Sequence, residues 1–353
     1  MGEGVNASAP FALLLEAAEL GRLPDAAIRL GIRRLLRQRL RDWEQMSCEG
    51  HQEAFRRFLA DCRNGPVAPL PGKANEQHYE VPVALFERAL GRRLKYSCCY
   101  WPEGVTDLDS AEEEALRITC DRAGLADGME ILELGCGWGS LSLWMGEQYP
   151  QARILAVSNS ASQRRFIESR IAALGLSNLT VCTCDMNDFH SARQFDAVVS
   201  VEMFEHMRNH AELLRRVAGW LRPGGRLFVH MFCHRQQAYE FTGEGPQDWM
   251  ARYFFTGGIM PNQALLLNHQ QDLRVLDQWC WNGQHYARTC DAWLARFDRH
   301  RDVLLRTFEE TWGPRDARVW LQRWRMFFMA CSELFACRNG NEWFVTHVRM
   351  ERP

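Results

Sequence analysis

Glu130-Ile131-Leu132-Glu133-Leu134-Gly135-Cys136-Gly137-Trp138-Gly139 joins a short, largely apolar run to three glycines at alternate positions. The run predicts a buried strand. The glycines predict a sharp turn that opens a helix and lets a ligand approach the backbone. A Gly-x-Gly pattern alone is often only a turn; with a strand before it and a helix after it, the context points to a nucleotide-type ligand.

Downstream, runs of similar texture recur at Arg153-Ile154-Leu155-Ala156-Val157, Leu179-Thr180-Val181-Cys182, Phe195-Asp196-Ala197-Val198-Val199-Ser200 and Arg226-Leu227-Phe228-Val229-His230. Helical patterns at 161–174 and 209–221 separate them, which predicts crossover units around a largely parallel sheet, a doubly wound α/β core. Pro223-Gly224-Gly225 is expected to make the tight turn into the fifth strand. After His234 the alternation stops, and the aromatic-rich residues 235–270 read as an insertion over the carboxyl edge of the sheet. Strands near 273–281 and 342–350 and helices near 289–311 and 315–336 complete the pattern. Upstream, residues 10–62 read as helical, 63–72 as a Gly/Pro connector and 73–126 as mainly helical. The expected division is a helical arm over 1–72 and a second unit over 73–353, with its cofactor core at about 120–234.

Lys+Arg of 42 against Asp+Glu of 44 leaves a formal charge of −2, without the positive field that gripping phosphate backbones requires. Nucleic acid is not an expected partner. No stretch approaches a bilayer span, and the apolar start at 10–15, broken by Glu16 and Glu19, does not read as a secretory signal. The thirteen cysteines contain no Cys-x-x-Cys pair and read as reduced thiols of a cytoplasmic protein, with no metal site expected.

The second strand ends in Ser158-Asn159-Ser160, where a dinucleotide site usually has an acidic residue for the ribose, so NAD is disfavoured. The third ends in Cys184-Asp185-Met186-Asn187. An acidic residue beside an apolar one there can hold an adenine amino group and cover its ring, or merely cap a helix. Ser200-Val201-Glu202-Met203-Phe204-Glu205-His206-Met207 starts at the carboxyl end of the fourth strand, where ligands of open α/β sheets bind. In a helical turn Glu202, Glu205 and His206 share one face. Two carboxylates and an imidazole suit proton handling or cation binding; the alternative is a local salt-bridge and capping network. They suit amine methylation for a definite reason. Freeing the lone pair of an alkylamine with a pKa of about 10.4 costs roughly 4 to 5 kcal/mol at neutral pH, which a nearby proton acceptor offsets.

Further landmarks are Asn75-Glu76-Gln77-His78-Tyr79-Glu80-Val81-Pro82, Lys95-Tyr96-Ser97-Cys98-Cys99-Tyr100-Trp101, Arg252-Tyr253-Phe254-Phe255-Thr256-Gly257-Gly258-Ile259-Met260-Pro261, Asn282-Gly283-Gln284-His285-Tyr286-Ala287 and Asn339-Gly340-Asn341-Glu342-Trp343. Together with 133–139 and 202–207, this series resembles the S-adenosylmethionine-dependent cyclopropane-fatty-acid synthase superfamily, and within it the coclaurine N-methyltransferase-like branch. The resemblance covers about residues 73–350. It implies a Rossmann-like class I methyltransferase fold, α/β, with a seven-stranded, mostly parallel sheet, a helical N-terminal extension and a helical insertion after strand five. It implies S-adenosylmethionine as cofactor: Tyr96 and Ser97 at its methionine end, Gly135 and Gly137 at the turn, Asn159 and Gln163 on the ribose, Asp185 and Met186 on the adenine. In the N-methyltransferase branch Glu202, Glu205 and His206 form the amine-binding and proton-accepting group, and relatives are often homodimers.

In the lipid-modifying branch the equivalents of Cys98, Glu205, His230 and Tyr286 hold a bicarbonate that acts as base, and this sequence keeps all four. Glu202 discriminates: the resemblance implies a small residue there in cyclopropane synthases and glutamate in amine methyltransferases. A carboxylate has a partner in an ammonium and none in an alkene. The expected activity is therefore methyl transfer to the nitrogen of a small cyclic or aromatic amine. Lipid methylation with bicarbonate and a non-catalytic cofactor-binding protein are the alternatives. Trp249, Tyr253, Phe254, Phe255, Trp281 and Trp324 can wall a pocket for an aromatic cation or serve as plain core, whereas His78, His234 and His285 read as structural residues. The first 70 residues carry no recognised motif beyond a helical arm or lid.

Overall fold

The computed structural model describes residues 9–74, 81–243 and 248–353; the stretch 75–80, His78 included, lies outside the described residues. Seven strands form the main sheet. Labelled in chain order they are β1 Glu130–Leu134, β2 Arg153–Ser158, β3 Leu179–Thr183, β4 Phe195–Val201, β5 Leu221–His234, β6 Arg274–Trp281 and β7 Trp343–Glu351. Their spatial order is β3-β2-β1-β4-β5-β7-β6. β1 to β5 pair in parallel, while β7 runs antiparallel to both β5 and β6. Every residue of β1 is buried, as a central strand covered on both faces requires.

Three expectations change in detail. Pro223-Gly224-Gly225 lies within the β5 ladder as a bulge: Leu221 pairs with Phe195 and Arg226 with Ala197, so the extra residues loop out without ending the strand. The helix expected at 289–311 begins earlier, at Gly283, because the Asn282 side chain accepts from Gln284 N at 2.8 Å and caps it. The third concerns the stretch 73–126, which is less helical than expected: between α5 (Val83–Ala89) and α6 (Leu108–Ala123) runs an irregular loop that delivers Lys95 to Trp101 to the interior.

The arm comprises α1 (Ala9–Glu19), α2 (Asp25–Glu44) and α3 (Cys48–Arg63). It has no core of its own. Ala18, Ile28 and Leu40 join the apolar cluster built by α5, α11 (Gly283–Arg299) and α12 (Arg301–Ala336), whereas Phe58, Leu59 and Cys62 join the cluster under β4 and β5. Arg29 bridges Asp291 at 2.7 Å and Glu333 at 3.0 Å, and Arg325 reaches Asp25 at 2.7 Å and Asp298 at 2.6 Å. Arg325 grips both oxygens of Asp25 and of Asp298, and bidentate forks of that kind fix orientation as well as proximity. α12 is interrupted at Gly313 (φ 80°), since Pro314 excludes the helical conformation from the residue before it. Residues 235–270 hold a short ribbon, Tyr239–Glu240 against Ile259–Met260, and α10 (Trp249–Tyr253); α4 (Pro71–Ala74), α7 (Ser140–Gln148), α8 (Ala161–Leu174) and α9 (His210–Trp220) complete the larger helices. Among the described residues no helix is long and apolar enough to cross a membrane.

Candidate active site

The strand order reverses between β1 and β4, and at that switch point a crevice opens outside the carboxyl ends of the strands. It is a cleft of about 710 Å³, its open mouth included, and Gly135, Gly137, Asn159, Gln163, Asp185 and Met186 all line it. Gly135 has φ +79°, and a Cβ there would stand 2.7 Å from Met203 Cγ, so a side chain would collide with the loop after β4. At Gly137 (φ +52°) a Cβ would meet nothing within 4 Å, which leaves bare backbone at the cleft. Ser158 Oγ donates to Gln163 Oε1 at 2.7 Å and fixes that amide, whose Nε2 is buried with no partner. A buried donor left over in this way calls for a ligand acceptor. Asn187 clips the loop before α4 in place, accepting from Ala68 N at 3.0 Å and donating to Ala68 O at 2.8 Å. Ala68, Leu70 and Pro71 thereby line the cleft, although in the sequence they read only as connector. A spare amide donor, a bare glycine backbone and an acidic residue beside an apolar one fit an adenosyl group.

A second cavity of about 2360 Å³, its open mouth included, lies beside the cleft. Its floor carries Tyr96, Glu202 and Tyr286, its walls include Trp249 and Phe255, and Ile28, Ile32 and Trp43 of α2 face it from the arm. His206 lines both cavities.

Glu202, Glu205 and His206 do converge, but without the expected helical face. Glu202 has φ +48°, outside helical geometry, and only Phe204–His206 forms a 3₁₀ turn. The Glu202 carboxylate accepts three hydrogen bonds, Oε1 from Cys98 N at 3.0 Å and His230 Nε2 at 3.2 Å and Oε2 from the Tyr286 hydroxyl at 2.6 Å, which leaves Oε2 room for one more donor. Cys98 thus acts through its backbone. Glu205 is buried; its Oε1 accepts from Phe232 N at 2.7 Å and its Oε2 has no partner. Lys95, 2% exposed, donates to Ser97 Oγ at 2.6 Å and Cys98 O at 2.7 Å, which places a buried cation near Glu202. Its sequence context, after Arg92 and Arg93, looks like an ordinary solvated basic run.

Burial raises both carboxyls above their ordinary range, but Lys95 and the donors on Glu202 oppose the rise there, whereas the charge of Glu202 adds to it at Glu205. Of the two, Glu205 is therefore the more readily protonated and Glu202 the better suited to carry the charge. Burial brings His206 down to about 4, against the pull of Glu202, so its imidazole is neutral at pH 7.

Other residues fall behind the cavity walls. Phe254 and Trp324 are fully buried, and Phe254 stacks on Phe327 at 4.5 Å. Tyr253 lies beneath Arg323 at 3.8 Å and outside the cavity lining. Phe254, at the end of α10, packs inward against Trp324, Phe327 and the rest of the aromatic stripe that α12 buries, which composition alone cannot distinguish from a cage. His230 is buried behind Glu202, with Trp281 packed edge-on to it at 5.3 Å. His285 accepts from Trp101 N at 3.0 Å, and His234 from Gln236 N at 3.0 Å and Gln237 N at 2.8 Å, so both are structural.

This fold, with the glycine turn and the cleft at its switch point, is that of a class I S-adenosylmethionine-dependent methyltransferase, as the relatives show. The chain belongs to the mycolic acid cyclopropane synthetase family, whose model matches residues 71–343. It is 34% identical to (S)-coclaurine N-methyltransferase of Thalictrum flavum subsp. glaucum over 96% of this chain and 95% of that protein. The cyclopropane-fatty-acyl-phospholipid synthase of Escherichia coli (strain K12) is 29% identical over 78% of this chain and 67% of that one. A crystal structure of coclaurine N-methyltransferase bound to N-methylheliamine and SAH superposes with a TM-score of 0.94 at 33% identity, covering 98% of this chain and all of that one.

Proposed function

We propose that the protein transfers a methyl group from S-adenosylmethionine to the nitrogen of a cyclic or aromatic amine bound in the large cavity. The observation that carries this reading is the Glu202 carboxylate, held by Cys98 N, His230 and Tyr286 at the cavity floor. His230 and Tyr286, which the family resemblance assigns to a bicarbonate, are here engaged by a carboxylate of the chain itself.

When bound, the cofactor supplies an electrophilic methyl on a sulfonium. Gly135, Gly137, Asn159, Gln163, Asp185 and Met186 would hold it in the cleft they line; Tyr96 lines the amine cavity, whereas Ser97 lines neither cavity and accepts from Lys95 instead. Glu202 draws the ammonium form of the acceptor to the cavity floor. His206 lines both cavities and is the proton acceptor. Burial makes it a weak base, and the charge of Glu202 is what strengthens it when it takes the proton and frees the lone pair. Glu205, held well above its ordinary range by burial and by the charge of Glu202, adds no second negative charge beside Glu202. Trp249 and Phe255 offer aromatic surface to the acceptor and exclude water, so that orientation supplies the remaining acceleration.

The test is S-adenosylhomocysteine formation against a panel of cyclic amines. Turnover that depends on the amine and is lost in His206→Ala supports the assignment; turnover unchanged in that variant removes His206 from it.

A further inference from the structure

The Glu202 carboxylate is the inner end of a hydrogen-bonded chain that leaves the cavity through the sheet. His230 on β5 places Nε2 3.2 Å from Glu202 Oε1. Its Nδ1 lies 2.9 Å from Nε2 of His347, its register partner on β7. Nδ1 of His347 lies 2.9 Å from Nη1 of Arg122 at the end of α6. Both imidazoles are fully buried, with the Trp281 ring against each of them, and the Arg122 guanidinium lies over Trp279 at 5.1 Å.

The outer end dictates the rest. A guanidinium only donates and stays protonated, so Nδ1 of His347 is an acceptor and its proton is on Nε2. That N–H points at His230 Nδ1, which must accept, and so the proton of His230 is on Nε2, facing Glu202. Any other neutral assignment sets two donors or two lone pairs against each other. Burial, reinforced by the charges of Lys95 and Arg122, holds both imidazoles well below their ordinary range and hence neutral.

We propose that Arg122 and His347 are positioning residues that fix the tautomer of His230, so that it donates to Glu202 and keeps that carboxylate charged and aimed at the amine. This rests on the reading of Glu202 as the anion that receives the ammonium. It has a second consequence: every N–H of the chain points inward and its outer end has no lone pair, so no proton leaves through the sheet. The proton taken from the amine departs on the cavity side, through His206.

The groups that face Glu202 are Lys95, Tyr286, Glu205 and His206, and those that face Arg122 are Tyr100 and Cys280. None of them supplies a second donor to His347 Nδ1 among the described contacts.

Nitrogen NMR of protein labelled with ¹⁵N-histidine, assigned with His347→Gln, reads the tautomers directly. The expected result is neutral, Nε2-protonated rings for both His230 and His347 at neutral pH; a proton on Nδ1 of His230, or a charged ring, overturns the proposal. In Arg122→Met the His347 proton is free to move to Nδ1, which turns a lone pair of His230 toward Glu202. The acid limb of kcat/KM for the amine then moves up by about one pH unit, a loss of about tenfold on that limb that closes at alkaline pH. Arg122→Lys, which can still donate, restores most of it. A loss equal at all pH values, with unchanged tautomers, contradicts a positioning role, and should Arg122→Met fail to fold, the wild-type tautomers decide. Predicted tautomers in a protein that methylates no amine would overturn the role of Glu202 while confirming the chain.

Discussion

The Tyr286 hydroxyl donates to Oε2 of Glu202 at 2.6 Å across 84 residues of sequence, joining α11 to the loop after β4. A hydrogen bond to an ionised acceptor contributes about 1.5–3 kcal/mol. Tyr286→Phe is therefore predicted to lower kcat/KM for the amine by roughly 10- to 100-fold. Steady-state kinetics check this, and a native Tm would separate the effect from misfolding.

Glu202→Gln removes the charge but keeps the shape. Its amide nitrogen would face one of three donors, so the expected loss in kcat/KM is larger, on the order of 100-fold or more, with affinity for the charged amine most affected. Titration calorimetry with a non-reacting quaternary analogue of the acceptor measures that binding directly.

Gly135→Ala combines a positive φ of +79° with a Cβ 2.7 Å from Met203 Cγ. The predicted outcome is a folded protein whose affinity for S-adenosylhomocysteine falls at least about tenfold, from strain of about 1–3 kcal/mol in the turn. Isothermal titration against the wild type gives the comparison.

Phe254 separates core from cavity. Fully buried and stacked on Phe327, it is predicted to cost about 3–5 kcal/mol of stability as Phe254→Ala, read by chemical denaturation, while KM for the amine stays within about twofold of wild type.

Stability is predicted to rise from pH 4.5 toward 6.5. His206, His210, His269 and His285 are each held at about 4 by burial, against 6.5 when unfolded, so the unfolded chain takes up protons first as pH falls through that window. Glu112 and Glu133, raised to about 7, and Glu202 and Glu205, also raised by burial, act in the opposite sense, their contribution fading as pH rises through the same window. These four carboxyls are outnumbered by seven histidines held low once His230, His234 and His347 are included. Thermal melts across the range test the sign.

The parallel strands and the glycine turn were legible because each is local: an apolar run of strand length and a turn residue carry their own signal. The β5 bulge was not, since it depends on pairing with β4. At the site, residue types were legible and partners were not. Glu202 stood out by its place after β4, yet its three donors, Cys98 N, His230 and Tyr286, come from three distant segments. Lys95 enters only as the first residue of a family landmark with no role attached, and Arg122 and His347 carry no spacing signal; the sheet register and the loop after α5 bring them to the site. Tyr253, Phe254 and Trp324 show the converse, aromatic residues whose composition fits a cage and whose packing makes them core or wall support.

The most direct test of the central claim is S-adenosylhomocysteine formation by the purified protein with cyclic aromatic amines and, in parallel, with unsaturated phospholipid vesicles, each with and without bicarbonate. The account predicts turnover with an amine, indifferent to bicarbonate and sharply reduced in Glu202→Gln. Bicarbonate-dependent methylation of the vesicles, with no amine turned over, would contradict it.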